Sequence, residues 1–318
     1  MAISILKARP EMRALAPLRG ARPDAPAWFG GALAHQPERK TITVENAAIE
    51  ILTWGEVGKP GLMFLHGNAA HADWWRFIAP FFARDFRIVA PTWAGMGNSC
   101  WRPSYRAETF LAEALAAARA AELYADGVAP IVVAHSLGGL PGRLMASRTP
   151  EALRALVLLD PLLQPPRTSR PKPPEPMETT RIYPSLDQAL ARFLLRPPQP
   201  FENLYTADFI ARESLRKVEG GWTWKFDPSF WKTFDPEAND HPDAQVEAAR
   251  MPIAVIHGEL SSLCTPDTLA YIRSVLPPDA PIIGIPGAYH HLMIDQPLAL
   301  VAALRGLFAR WPDHGCSI

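Results

Sequence analysis

The chain reads as an α/β protein: a mostly parallel sheet with helices on both faces, interrupted by a largely helical insertion. Three observations predict this. Short, wholly apolar runs such as Leu62-Met63-Phe64-Leu65 and Ala155-Leu156-Val157-Leu158-Leu159 alternate with helix-compatible stretches, the rhythm of βαβ units whose strands are buried on both faces. That rhythm stops at Asp160 and resumes only near Met251. Between the two apolar runs, Pro130-Ile131-Val132-Val133-Ala134 passes through His135-Ser136 directly into a helical pattern, a strand, sharp turn and helix in immediate succession.

Taken in order, residues 1–40 are rich in Ala, Pro and Arg without periodicity and form an N-terminal arm. Thr41–Val44 and Ile49–Trp54, joined by Glu45-Asn46-Ala47-Ala48, predict an antiparallel hairpin. Further strands are expected at 62–65, 86–90, 130–134, 155–159, 253–257 and 281–285. Helices are expected at 73–83, 108–124, 137–148, 266–275 and 297–310. The core thus comprises 41–160 and 250–318, and 161–249 is a lid. The lid opens with eight prolines between Pro161 and Pro184, then shows helical spacing over 186–195 and 206–218. An aromatic segment follows: Trp222, Trp224, Phe226, Phe230 and Trp231.

Composition narrows the function. With 318 residues, 48% hydrophobic and 20% charged, the chain can bury a large core. Lys+Arg and Asp+Glu are equal at 32 each, so no global field draws nucleic acid, an anionic membrane or a strongly charged substrate. Cys100, Cys264 and Cys316 have neither metal-ligand nor disulfide-framework spacing. Nothing approaches 18 consecutive apolar residues, so the expectation is a cytoplasmic protein without membrane insertion.

The chemistry centres on Ala134-His135-Ser136-Leu137-Gly138. A serine on a strained strand-to-helix turn presents its hydroxyl above the sheet, and small residues two before and two after it relieve crowding. The same serine could simply cap the helix. Nucleophilic use requires a base and a carboxylate behind it. His290, in Pro286-Gly287-Ala288-Tyr289-His290-His291 after the last strand, is the candidate base, with His291 adjacent to it. His66 and His257 end strands and precede glycine, positions suited to holding loops. A tetrahedral oxyanion needs two N–H donors. The amide of Leu137 supplies one, and that of Asn68, in His66-Gly67-Asn68-Ala69-Ala70, the other.

These residues resemble the α/β-hydrolase superfamily, in its lidded, carboxylesterase-like group. The markers are His66-Gly67, Trp74-Trp75, Val89-Ala90-Pro91, Gly95-Met96-Gly97-Asn98-Ser99, Ala134 to Gly139, Ala155 to Pro161 and His290 to Pro297. The resemblance implies an eight-stranded sheet with its second strand antiparallel, a lid after the sixth strand, and acyl transfer through Ser136. It implies no cofactor or metal. The implied partner is a small-molecule ester, the chain being a monomer or homodimer. The lid aromatics with Trp74 and Trp75 suggest an apolar or aromatic substrate portion; the same machinery serves lactone opening and C–C hydrolysis. A binder that has lost its chemistry is the alternative of another class.

Two departures stand out. The family's acid usually lies three residues after the glycine ending the seventh strand, but Gly258 is followed there by Ser261. Asp160, at the end of the sixth strand, is the favoured replacement, because a residue at a strand's carboxyl end faces the same crevice as the serine and histidine; Glu259, directly after Gly258, is the alternative. Position 134, usually glycine, is alanine.

Overall fold

The computed structural model describes residues 10–164, 181–235, 242–247 and 249–311. Eight strands form one sheet: β1 (Glu38–Val44), β2 (Ala47–Trp54), β3 (Gly61–Leu65), β4 (Arg87–Pro91), β5 (Ile131–His135), β6 (Ala155–Leu159), β7 (Ile253–Gly258) and β8 (Ile282–Ile285). Their spatial order is β1-β2-β4-β3-β5-β6-β7-β8. β2 runs antiparallel to both its neighbours, and all the remaining pairs are parallel. The hairpin begins three residues earlier than the sequence pattern suggested, and its two-residue turn places Glu45 and Asn46 at positive φ.

Alternation along the central strands explains why they are apolar throughout. Leu62, Phe64, Ile131, Val133 and Val157 point to one face, whereas Met63, Leu65, Val132, Ala134 and Leu156 point to the other. Helices Ala107–Ala120, Gly139–Arg148 and Pro266–Val275 cover the second face; Pro297–Arg310 covers the first. Each large apolar side chain buried in this way contributes about 1.5–3 kcal/mol.

Three helical expectations are corrected. The 73–83 stretch forms two separate 3₁₀ turns, Ala72–Trp75 and Ala79–Phe81; Pro80 has no N–H to continue a helix and disfavours helical backbone before it. The 186–195 helix is a short turn of helix, Leu186–Leu190. The helix expected over 206–218 is Leu204–Glu213, after which Leu215–Val218 and Gly221–Trp224 form an antiparallel hairpin. Gly221, at φ 144°, allows the Tyr183 carbonyl to approach to where a Cβ would stand 2.0 Å from it. Among its described residues, the insertion between β6 and β7 thus carries a hairpin beside its short helices.

The N-terminal segment is built in from Pro10 onward. The helix Ala27–Ala34 sets Phe29 4.9 Å from the Tyr205 ring and 5.4 Å from Phe77, so it joins the insertion helix to the core. The proline-rich stretch 165–180 and Cys316 lie outside the described residues.

Candidate active site

The site forms where β5, β6 and β7 end side by side, because a parallel sheet delivers all its carboxyl ends to one edge. At the end of β5 the chain turns so sharply that Ser136 adopts φ 51°, the left-handed region that a non-glycine residue enters at a cost of about 1–3 kcal/mol. Its surroundings hold it there. A Cβ on Gly138 would lie 2.6 Å from the His66 carbonyl oxygen, so only glycine lets the 65–67 backbone settle on the start of the helix. The alanine at position 134 finds its room opposite: a Cβ on Gly142 would lie 3.3 Å from Ala134 Cβ, so the helix glycine replaces the space that the strand usually leaves.

Asp160 ends β6, fully buried and at φ 43°. Its Oδ2 accepts the Gly258 N–H at 3.0 Å, and Oδ1 accepts the Ser261 hydroxyl at 2.7 Å. Ser261 thus stands where an acid was expected and donates to the acid that is present. Its own oxygen accepts the Leu263 N–H at 3.1 Å, which orients the hydroxyl.

His290 arrives from the loop after β8. Gly287 turns at φ 67°, and the 288–289 backbone then passes directly over Gly258, where a Cβ would lie 2.2 Å from the Tyr289 carbonyl oxygen. That approach seats His290 between the other two: Nδ1 lies 2.7 Å from Asp160 Oδ1 and Nε2 lies 2.9 Å from Ser136 Oγ. The carboxylate can only accept, so Nδ1 carries the proton in the neutral ring and Nε2 offers its lone pair to the serine hydroxyl. Glu259, the alternative acid, is exposed with its carboxylate by Gly284, and it is Asp160 that bonds His290 Nδ1.

The other histidines are differently placed. His66 accepts the Trp93 N–H at Nε2 (3.0 Å) and donates from Nδ1 to the Gly67 carbonyl (2.7 Å). Burial pushes it down to about 3, so it is a neutral clamp for the loop. His135 is likewise pushed down to about 3 by burial and bonds the His290 carbonyl oxygen through Nε2 at 3.0 Å. His291 is buried, held well below its ordinary value by desolvation, and its backbone N–H donates to Gln199 Oε1 at 3.1 Å.

Asn68 follows Gly67 in a half-buried turn, and a Cβ on Gly67 would stand 3.1 Å from Ser136 Cβ, so this loop lies against the serine. Leu137 is buried in the turn that starts with Ser136. Of the aromatic residues singled out for substrate, Trp74 is buried near the site, 5.3 Å from the His291 ring. Trp75 is corrected to the core: it is fully buried and stacks on Phe64 at 4.9 Å. Trp222, Trp224 and Phe226 are half-buried on the insertion, with Trp224 6.0 Å from Phe193, and Phe230 packs on Tyr105 at 4.7 Å.

The cavity that touches His290, about 140 Å³, has a different lining. Pro197, Pro198, Pro200, Leu260 and Tyr289 form most of its wall. A larger hollow of about 350 Å³, among Phe82, Phe86, Arg305 and Phe308, contains none of the site residues. Gln199 and Asp295 were not recognised in the sequence. Gln199 Nε2 donates to both Asp295 oxygens at 2.9 and 3.1 Å, while Asp295 Oδ2 accepts the Tyr289 N–H at 2.8 Å, so together they brace the loop that carries His290. The sequence held no signal for Gln199; for Asp295 it held only its place between His290 and Pro297.

Buried Ser136, His290 and Asp160 are hydrogen-bonded in series at the carboxyl edge of an eight-stranded sheet with one antiparallel strand. The chain belongs to the alpha/beta hydrolase family. The family model matches residues 62–304. The chain is similar to the esterase Rv0045c of Mycobacterium tuberculosis (strain ATCC 25618 / H37Rv), 27% identical over 277 residues, which are 83% of this chain and 87% of that protein. The solved structure of the same esterase aligns over 94% of this chain and 96% of its own, at 22% identity and TM-score 0.63. A thioesterase domain from the curacin biosynthetic pathway has TM-score 0.71 at 21% identity, covering 85% of this chain and 99% of that domain. Both structures share the fold. Among the described residues no helix is long and apolar enough to cross a membrane.

Proposed function

We propose that this α/β hydrolase is a serine hydrolase that cleaves carboxylic esters through an acyl-enzyme. What supports this reading most is the placement of His290 Nε2 2.9 Å from Ser136 Oγ with Asp160 2.7 Å behind it. Ser136 attacks the ester carbonyl as His290 Nε2 takes its proton, and Asp160 holds the resulting imidazolium. The tetrahedral oxyanion sits between the N–H groups of Leu137 and Asn68. His290 then protonates the leaving alcohol, and in the second half activates water to release the acid. The insertion 161–249 acts as a cap over this edge. Its proline wall, with Leu260 and Tyr289, favours an apolar or aryl group beside His290, since about 140 Å³ approximates the cavity size that accommodates a benzene ring. The similarity to an esterase at 27% identity points the same way.

The test is a panel of p-nitrophenyl esters of graded chain length, lactones and vinylogous diketones, with wild type and Ser136→Ala in parallel. Ester turnover that vanishes in Ser136→Ala is expected. Preference for lactones or diketones would move the reading to another reaction of the same residues, and no turnover with saturable binding would make the chain a ligand-binding relative.

A further inference from the structure

His135 and His291 are 156 residues apart in sequence, with His290 between them, yet the fold brings the three rings together: centroids lie 4.8 Å apart for His135 and His290, 4.8 Å for His290 and His291, and 5.4 Å for His135 and His291. One ligating nitrogen from each falls within 4.8 Å of the other two, and all three side chains are buried. Hydrogen bonds account for only part of this convergence. His135 bonds the His290 carbonyl oxygen through Nε2, which must therefore carry the proton, leaving Nδ1 as a bare, buried lone pair without a partner. Among the described residues, neither ring nitrogen of His291 makes a hydrogen bond within ordinary distance and angle limits, although the Arg196 backbone lies near the ring.

We propose that these three histidines bind a divalent transition-metal ion of the zinc class and that the bound ion takes His290 away from Ser136, switching hydrolysis off reversibly. The coupling to hydrolysis rests on the reading of Ser136 and His290 given above; the binding itself does not. Three imidazoles select zinc, copper or nickel over calcium or magnesium, which prefer oxygen. Two of the three already have the outer partners that metal-ligating histidines use. His290 Nδ1 donates to the Asp160 carboxylate at 2.7 Å, and His135 Nε2 donates to a backbone carbonyl at 3.0 Å. That leaves His290 Nε2 and His135 Nδ1 as the ligating atoms. A tetrahedral ion with bonds of about 2.0–2.1 Å needs nitrogens about 3.4 Å apart, so the three rings must draw closer to hold it. His291 has no well-formed hydrogen bond to break in turning.

The experiment titrates zinc chloride into the full chain by calorimetry in a non-chelating buffer, with cobalt(II) absorbance as a check on geometry and ester turnover followed in parallel. One ion per chain with tetrahedral cobalt bands is expected, together with loss of turnover that EDTA restores. Binding weaker by tenfold or more is expected in His291→Asn and in His135→Asn. A His291→Phe chain, which keeps a buried ring, carries the same comparison if His291→Asn does not fold. Ser136→Ala should still bind zinc, so failure of the ester reading and failure of the metal site give different results. No saturable binding, or affinity within twofold of wild type in the His291 variants, would overturn the site. Saturated zinc with full turnover would overturn the switch.

Discussion

Ser261 Oγ donates to Asp160 Oδ1 over 2.7 Å, joining the loop after β7 to the carboxylate that ends β6. The same oxygen receives His290 Nδ1–H at 2.7 Å, and Oδ2 receives the Gly258 N–H at 3.0 Å. Three donors converge on one buried carboxylate. The carboxylate that meets His290 thus ends β6, and the serine three residues after Gly258 donates to it.

This arrangement ranks three substitutions. Asp160→Asn should lower turnover by about 10⁴, because His290 loses the acceptor that fixes its tautomer. Glu259→Gln should leave turnover within about threefold, its side chain being exposed. Ser261→Ala should fall between them, at about tenfold, since one charge-assisted hydrogen bond of several is lost. Steady-state kcat on one p-nitrophenyl ester checks the order; a larger loss from Glu259→Gln than from Asp160→Asn would overturn the assignment.

Gly67→Ala reaches the oxyanion loop directly. Its Cβ would lie 2.9 Å from His135 Nδ1 and 3.1 Å from Ser136 Cβ, too close for a buried ring and strained backbone to absorb. The loop must shift and carry the Asn68 amide with it, so kcat should fall by about 10²–10³, the size of a lost oxyanion donor. Thermal unfolding that stays close to wild type separates this from collapse of the fold.

Ala134 and Gly142 should behave as a coupled pair. Gly142→Ala gains helix propensity of about 1 kcal/mol but sets a Cβ 3.1 Å from Leu156 Cδ1 and 3.3 Å from Ala134 Cβ. In an Ala134→Gly background one of those contacts disappears. A double-mutant cycle by urea unfolding should show a coupling of about 1 kcal/mol favouring the pair. Additive changes would contradict the view that one missing methyl makes room for the other.

The strands and the edge they share were legible because wholly apolar runs such as Leu62–Leu65 have few alternatives to a doubly covered sheet. Ser136 and His290 were legible for a related reason: each follows a strand end, and strand ends of a parallel sheet meet. The carboxylate was legible only as a preference: Asp160 and Glu259 both follow strand ends, the shared crevice favours Asp160, and it is the hydrogen bond from His290 Nδ1 to Asp160 Oδ1 that tells them apart. Trp75 misled because a pattern of tryptophans does not distinguish stacking on Phe64 from lining a cavity. The cavity wall itself is made of prolines, which in a sequence mark a loop and nothing more.

Asp295 makes the loop that carries His290 sensitive to pH. Burial, opposed by its hydrogen bonds from Tyr289 and Gln199, pushes its carboxyl up to about 7. A carboxyl raised above its unfolded value near 4 contributes stability that is fully present below that value and is lost as pH rises through about 7. The Tm of wild type should therefore fall relative to that of Asp295→Asn between pH 5 and pH 8. A difference in Tm that stays constant across this range would contradict the assignment.

The central claim is that His290, backed by Asp160, activates Ser136. Intact-mass analysis after brief exposure to a fluorophosphonate tests it most directly. A single adduct that maps to Ser136, is absent in Ser136→Ala and forms at least tenfold more slowly in His290→Ala and Asp160→Asn is the predicted result. A folded wild-type chain that takes no label, or takes it elsewhere, would contradict it.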